Sequence, residues 1–216
     1  FLLLPIILNN SNQEIYGKYA FVLILILWFE KLSVGPFTNG LVRWFNKSKI
    51  SKIEFSSISF TSIILSILSL ILFYIISFYI ELEVNINLLL IINLSTIFYS
   101  YIESFLRFQG YHKSVAIFLG IRNISIPCFQ IILLFFSESI ESLLFPVFIS
   151  NSIFILLGFK YLKKLIPHLK FNIFKITDML KYSIPLIIIG LAVTSYFLYD
   201  RYLIKYFFSY KTLAEF

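Results

Sequence analysis

The sequence predicts an all-α polytopic integral membrane protein: six complete transmembrane helices, preceded by the end of a first. Three observations carry this. Uncharged apolar runs recur along the chain, each close to the 20 or so residues a helix needs to cross a bilayer. Hydrophobic residues make up 59% of the chain and charged residues only 13%, about half the charged share usual in soluble domains. A soluble core of 216 residues could not hide that much apolar surface. Finally, the loops between the runs alternate in charge, which fixes their sides.

In chain order, residues 1–8 (FLLLPIIL) are apolar but too short to span. They have no basic region before them, so they read as the tail of a first helix and not as a signal peptide. A polar loop, 9–14, leads to the first complete span, 15–34, with Glu30 and Lys31 near its far end as interfacial anchors. Gly35-Pro36 and Gly40 then break the pattern, and 35–57 reads as a basic loop. The next span is 58–80, where Ser59, Ser62, Ser66 and Ser69 form a small-residue stripe suited to close helix packing. Spans 86–106, 114–136 and 143–162 follow, separated by short turns. Residues 168–180 look like an amphipathic interfacial helix inside a basic connector. The last span starts near Tyr182 and surfaces at Asp200-Arg201. Ser183, Gly190, Thr194 and Arg201 share one face of it, a face that wants protein or water beside it.

Turns one, three and five carry Glu14, Glu81, Glu83, Glu138 and Glu141 and no lysine or arginine. Loops two, four and six carry Arg43, Lys47, Lys49, Lys52, Arg107, Lys113, Lys163, Lys164, Lys170 and Lys175. Positive loops stay in the cytoplasm, so loops two, four and six are assigned there. The net charge of +7 is accounted for in this way, without a nucleic-acid partner. The only cysteine, Cys128, lies in an apolar run and is expected to be buried, which excludes disulfides and thiolate metal sites within the chain.

Two spans carry chemistry. In 86–106 and just beyond it, Asn93, Thr96, Ser100, Glu103 and Arg107 recur at three, four, three and four. That spacing stacks an amide, two hydroxyls, a carboxylate and a guanidinium on one face. Lipid cannot satisfy such a stripe, so other helices or a water-filled cavity must. Arg122 lies eight residues beyond Ser114, roughly 12 Å along its helix, where a charge is costly unless it is partnered. Ser125 and Phe129 share its face, and Ala116, Gly120, Asn123, Pro127 and Gln130 run beside it. These residues read either as a substrate cavity or as interhelical packing and, for Arg122, snorkelling. No phosphate-binding glycine loop, ligand cluster or nucleophile elbow is present in the sequence. His112 and His168 both fall in cytoplasmic loops as solvated residues. The expectation is a protein without catalytic residues or cofactor.

The stretch LKYSIPLIIIG…DRYLIKYFFSYKTLAEF resembles the seventh helix of bacterial polysaccharide flippases, the O-antigen and teichoic-acid exporters of the multidrug/oligosaccharidyl-lipid/polysaccharide superfamily. Members read "yslP", an apolar helix, "DR" and a close in "vGxY"; here Ala214 and Phe216 stand for the glycine and tyrosine. The N-terminal LLLPIIL…IYGKYAF resembles the family's first loop. The resemblance implies two six-helix lobes that rock about a central cavity. Residues 1–180 would be the N-terminal lobe and 181–216 the start of the second, so the chain would be a piece of a longer transporter. The implied substrate is an undecaprenyl-pyrophosphate-linked glycan, moved across the bacterial cytoplasmic membrane for surface polysaccharide, with a proton or sodium ion supplying energy. Buried arginine suits its anionic head group. The expected substrate-contacting residues are Arg122, Asn93, Thr96, Ser100, Glu103, Arg107, Asn123, Asp200 and Arg201. Two alternatives stay open: a multidrug or cation exporter of the same superfamily, which would use a carboxylate such as Glu103, and a membrane enzyme of glycan assembly, which the short outer turns disfavour.

Overall fold

The computed structural model describes residues 12–45, 52–79, 84–162, 173–207 and 212. Among them the regular secondary structure is all helical. Six helices follow in order: α1 Gln13–Phe45, α2 Lys52–Tyr79, α3 Ile86–Phe108, α4 His112–Leu134, α5 Ile140–Leu162 and α6 Ile173–Phe207. All six are long and apolar enough to cross a membrane.

The described turns form where local chemistry stops a helix. Asn85 caps α3, its side-chain oxygen accepting from the Asn87 N–H at 3.0 Å. The α3–α4 turn closes at Gly110, whose φ of 80° is left-handed. Gly110 N–H donates to the Arg107 carbonyl and Tyr111 N–H to that of Leu106. That is the paired closure a C-terminal glycine permits. The predicted tail of a first helix, 1–8, lies outside the described residues, as do turn 80–83 and loops 46–51 and 163–172.

Three helices differ from the sequence reading: α2 begins at Lys52, six residues before the predicted start of its span. The first span does not end at Val34: α1 continues to Phe45 through Pro36. Gly35 and Pro36 mark a helix crossing. A Cβ on Gly35 would sit 3.3 Å from the Ile187 side chain of α6, and Ser183 of α6 donates to the Pro36 carbonyl at 3.5 Å. The described part of the connector, from Ile173 on, is not a separate interfacial helix; it is continuous with the last span in α6. At 35 residues, α6 runs roughly 52 Å, well beyond a bilayer core of about 30 Å.

Helix α1 is central and packs on α2, α3, α5 and α6, while α4 lies on α5. Gly158 sets the α3–α5 distance, since a Cβ there would run into the Ile102 side chain. The serine stripe of α2 packs inward as expected: Ser69 donates to the Phe29 carbonyl of α1 at 3.1 Å. Opposite it, Ile63, Ile67 and Ile71 are exposed, as a lipid-facing surface should be. Cys128, expected to be buried, is exposed on α4. The α4 helix buries only one narrow side, and Cys128 is not on it.

The apolar core falls into two clusters. One joins Phe21, Leu25 and Phe29 of α1 to Leu89 and Ile92 of α3, Leu134 of α4 and Leu143 and Val147 of α5. The other joins Phe37 and Leu41 to Ile102, Phe105, Val115, Phe118 and Phe154. Between the two clusters, each of these four helices carries polar residues that are buried or half-buried: Glu30 and Ser33, then Asn93, Ser95, Thr96 and Ser100, then Arg122 and Ser125, and Ser150 and Asn151. A polar layer crosses the bundle at mid-depth.

Candidate polar cavity and mid-membrane network

Arg122 is the centre of this layer. Its Nε donates to Asn151 Oδ1 at 2.7 Å and its Nη1 to Asn123 Oδ1 at 3.2 Å. Its Cζ lies 4.2 Å from the centroid of the Tyr99 ring, a cation–π distance. Asn151 then turns its amide to α3, donating from Nδ2 to Thr96 Oγ1 at 3.0 Å and Ser95 Oγ at 3.3 Å. Both hydroxyls pass their own protons to the Ile92 carbonyl. Beside them Ser125 Oγ meets Ser150 Oγ at 2.8 Å. One asparagine thus joins three helices, and the guanidinium is held on three sides.

Next to the network, further along α3, lies a cavity of about 420 Å³ between α1, α3 and α6. Helix α1 supplies Glu30, Lys31, Thr38 and Asn39; α3 supplies Ser100, Glu103, Ser104 and Arg107; α6 supplies Leu186, Ile187 and Gly190. Two ion pairs lie on its walls. Arg107 binds Glu103 through Nε at 2.9 Å and Nη2 at 2.7 Å, and Lys31 Nζ is 3.8 Å from Glu30. Thr38 and Ser104 hydroxyls meet at 3.2 Å across the α1–α3 wall. Tyr99 lies between network and cavity, with its ring on Arg122 and the cavity residue Glu103 one turn further along α3. The cavity lies toward the basic-loop ends of these helices, at late residues of α1 and α3 and early ones of α6.

The stripe read from α3 therefore divides. Thr96 joins Arg122 and Asn123 in the network, while Ser100, Glu103 and Arg107 line the cavity. Asn93 is fully buried, and among the described residues neither its amide nitrogen nor its oxygen has a hydrogen-bond partner. Asp200 and Arg201 join neither group. Asp200 is exposed, and the pair lies ten residues beyond Gly190, roughly 15 Å further along α6. Asn151, Tyr99, Glu30 and Lys31 are among the participants that the sequence reading did not select. Only the polar run Ser150-Asn151-Ser152 within an apolar span pointed to Asn151.

These helices and this site define a class: a multi-pass helical membrane protein with a polar layer at mid-membrane and a charged cavity beside it. No protein-family model, curated protein or solved structure matches the chain.

Proposed function

We propose that the chain belongs to a transporter that moves a lipid-linked oligosaccharide across the bacterial cytoplasmic membrane by alternating access, for surface polysaccharide assembly. One observation carries this reading: a cavity with two ion pairs within membrane-spanning helices, one wall of which is α6. Intramembrane charge marks substrate pathways because it is costly anywhere else. The resemblance of α6 and its flanks to the seventh flippase helix points the same way. In the two-lobe arrangement that the resemblance implies, α6 begins the second lobe, and movement against α1 would open and close this cavity. The glycan's diphosphate would meet Lys31 and Arg107. Arg122 acts through the helices that it ties, since Asn151, Asn123 and Tyr99 already occupy it. A proton or sodium ion is the proposed energy source, and no bond is made or broken.

The cavity carboxylates Glu30 and Glu103 favour one second reading, export of cationic drugs. Complementation separates the two. In a cell lacking its glycan flippase, the protein should restore surface polysaccharide and Arg107→Ala should not, with lipid-linked glycan accumulating on the cytoplasmic face. Extrusion of cationic dyes without any glycan export would replace the flippase reading with the drug-export one.

A further inference from the structure

Arg122 is held but not neutralised. Its partners, Asn151, Asn123 and the Tyr99 ring, carry no charge. The described ion pairs involve Lys18, Lys31 and Arg107, and none includes Arg122. Beside it, Asn123 is the middle residue of α4 (His112–Leu134), roughly 16 Å from either end. Its oxygen accepts from Arg122, yet the residue is exposed. Lipid cannot satisfy an amide at the midplane next to an unneutralised cation.

The exposed side of α4 has two flanks. Ala116, Gly120, Asn123 and Pro127, spaced four, three and four, form one. A Cβ at Gly120 would meet nothing within 4 Å. Ile117, Ile121 and Ile132, all exposed, form the other, which suits lipid. We infer that the small-residue flank docks a further transmembrane helix that presents a carboxylate to Arg122. Small residues let two helix backbones approach closely. A carboxylate accepts from both the guanidinium and the Asn123 amide, and it supplies the missing charge. Other occupants fit less well. Ala116, Gly120 and Pro127 offer no polar side chain to hold a file of water on either side of Asn123. A phospholipid phosphate stays about 15 Å from the midplane, where the guanidinium is fastened. A second copy of the chain does not provide the acid, because Glu30 and Glu103, the acids furthest inside the described spans, are already paired. The inference is independent of the flippase reading, since no α4 residue lines the cavity.

The test is energy transfer in phosphatidylcholine vesicles between the labelled protein and leucine-rich transmembrane peptides of about 20 residues. The peptides carry glutamate, glutamine or leucine at the centre. The glutamate peptide should bind about tenfold more tightly than the leucine peptide and at least about threefold more tightly than the glutamine one. Gly120→Leu fills the flank without touching the network, and in this variant the preference should fall to within about twofold. Ile121→Ala, on the other flank, should leave it unchanged. Equal binding of glutamate and leucine peptides overturns the inference, as does a preference that survives Gly120→Leu. Loss of the preference on adding phosphatidylglycerol overturns it in favour of a lipid phosphate. A Gly120→Cys side chain, in a Cys128→Ala background, should resist impermeant thiol reagents from both sides of native membranes; labelling there would mean that water covers the flank and would also overturn the inference.

Discussion

Asn151→Leu should loosen the bundle at its centre, and the loss should be tied specifically to Arg122. Asn151 makes one bond to the guanidinium and two to α3 hydroxyls. Polar contacts between transmembrane helices average about 0.6 kcal/mol and reach about 1.7. The charge-assisted bond at 2.7 Å belongs near the upper figure, so the substitution should cost about 2–3 kcal/mol in all. A double-mutant cycle isolates the central contact. Arg122→Met keeps bulk and removes the charge, and its coupling to Asn151→Leu should be about 1–2 kcal/mol. Thr96→Val is the control, with a loss of about 0.6 kcal/mol because only one contact between helices goes. Steric trapping in bicelles measures all the states as free energies. A coupling within about 0.5 kcal/mol of zero means that the two residues act independently. The network would then not be the tie between α3, α4 and α5 described here.

Further outcomes follow from the packing and from the loop charges. Cysteines placed at Asn85 and Ser139 should react with an impermeant thiol reagent from outside the cell, and one at Lys113 only after permeabilisation. Cys128 must be removed first, because it is exposed. Gly158→Ala should cost about 1–3 kcal/mol by overpacking against Ile102. Adding Ile102→Ala should recover about 1 kcal/mol relative to the sum of the two single losses; strict additivity in thermal unfolding would show that this crossing is not tight. Trp28 Nε1 donates to Ser195 Oγ at 2.7 Å between α1 and α6. Trp28→Phe and Ser195→Ala should each lower stability by roughly 0.6–1.7 kcal/mol, and the pair by no more than either alone. Full additivity in the same unfolding assay would count against that contact.

The helices α3, α4 and α5 were legible in the sequence because their apolar runs end in charged or glycine-containing turns. Hydropathy alone gave their bounds to within a few residues. The end of α1 was not, since Gly35-Pro36 carries a local signal for termination. Its actual use is tertiary: the missing side chain admits Ile187, and Ser183 takes the Pro36 carbonyl. The continuity of α6 was hidden for a related reason, since the lysines of its first turns look like a surface helix. In the candidate site, period alone put Asn93, Thr96, Ser100, Glu103 and Arg107 on one face. A face that wide meets more than one neighbour, so Thr96 turns to Asn151 while Glu103 turns to the cavity. Asn151 was missed because a single amide barely lowers the hydropathy of an apolar span. Glu30 and Lys31 looked like anchors because, on a span read as ending at Val34, they stood at the membrane edge. On the longer α1 they lie well inside it.

The central claim is that the space between α1, α3 and α6 is a water-accessible cavity open toward the basic loops. Cysteine accessibility in inside-out vesicles, in a Cys128→Ala background, tests it most directly. Substitutions at Asn39, Ser104 and Gly190 should react with a small impermeant thiol reagent, while those at Leu68, Leu94 and Phe98, exposed on the outer faces of α2 and α3, should stay inert in lipid. Inert cysteines at Asn39, Ser104 and Gly190, or labelling there only from the opposite side, would contradict the account.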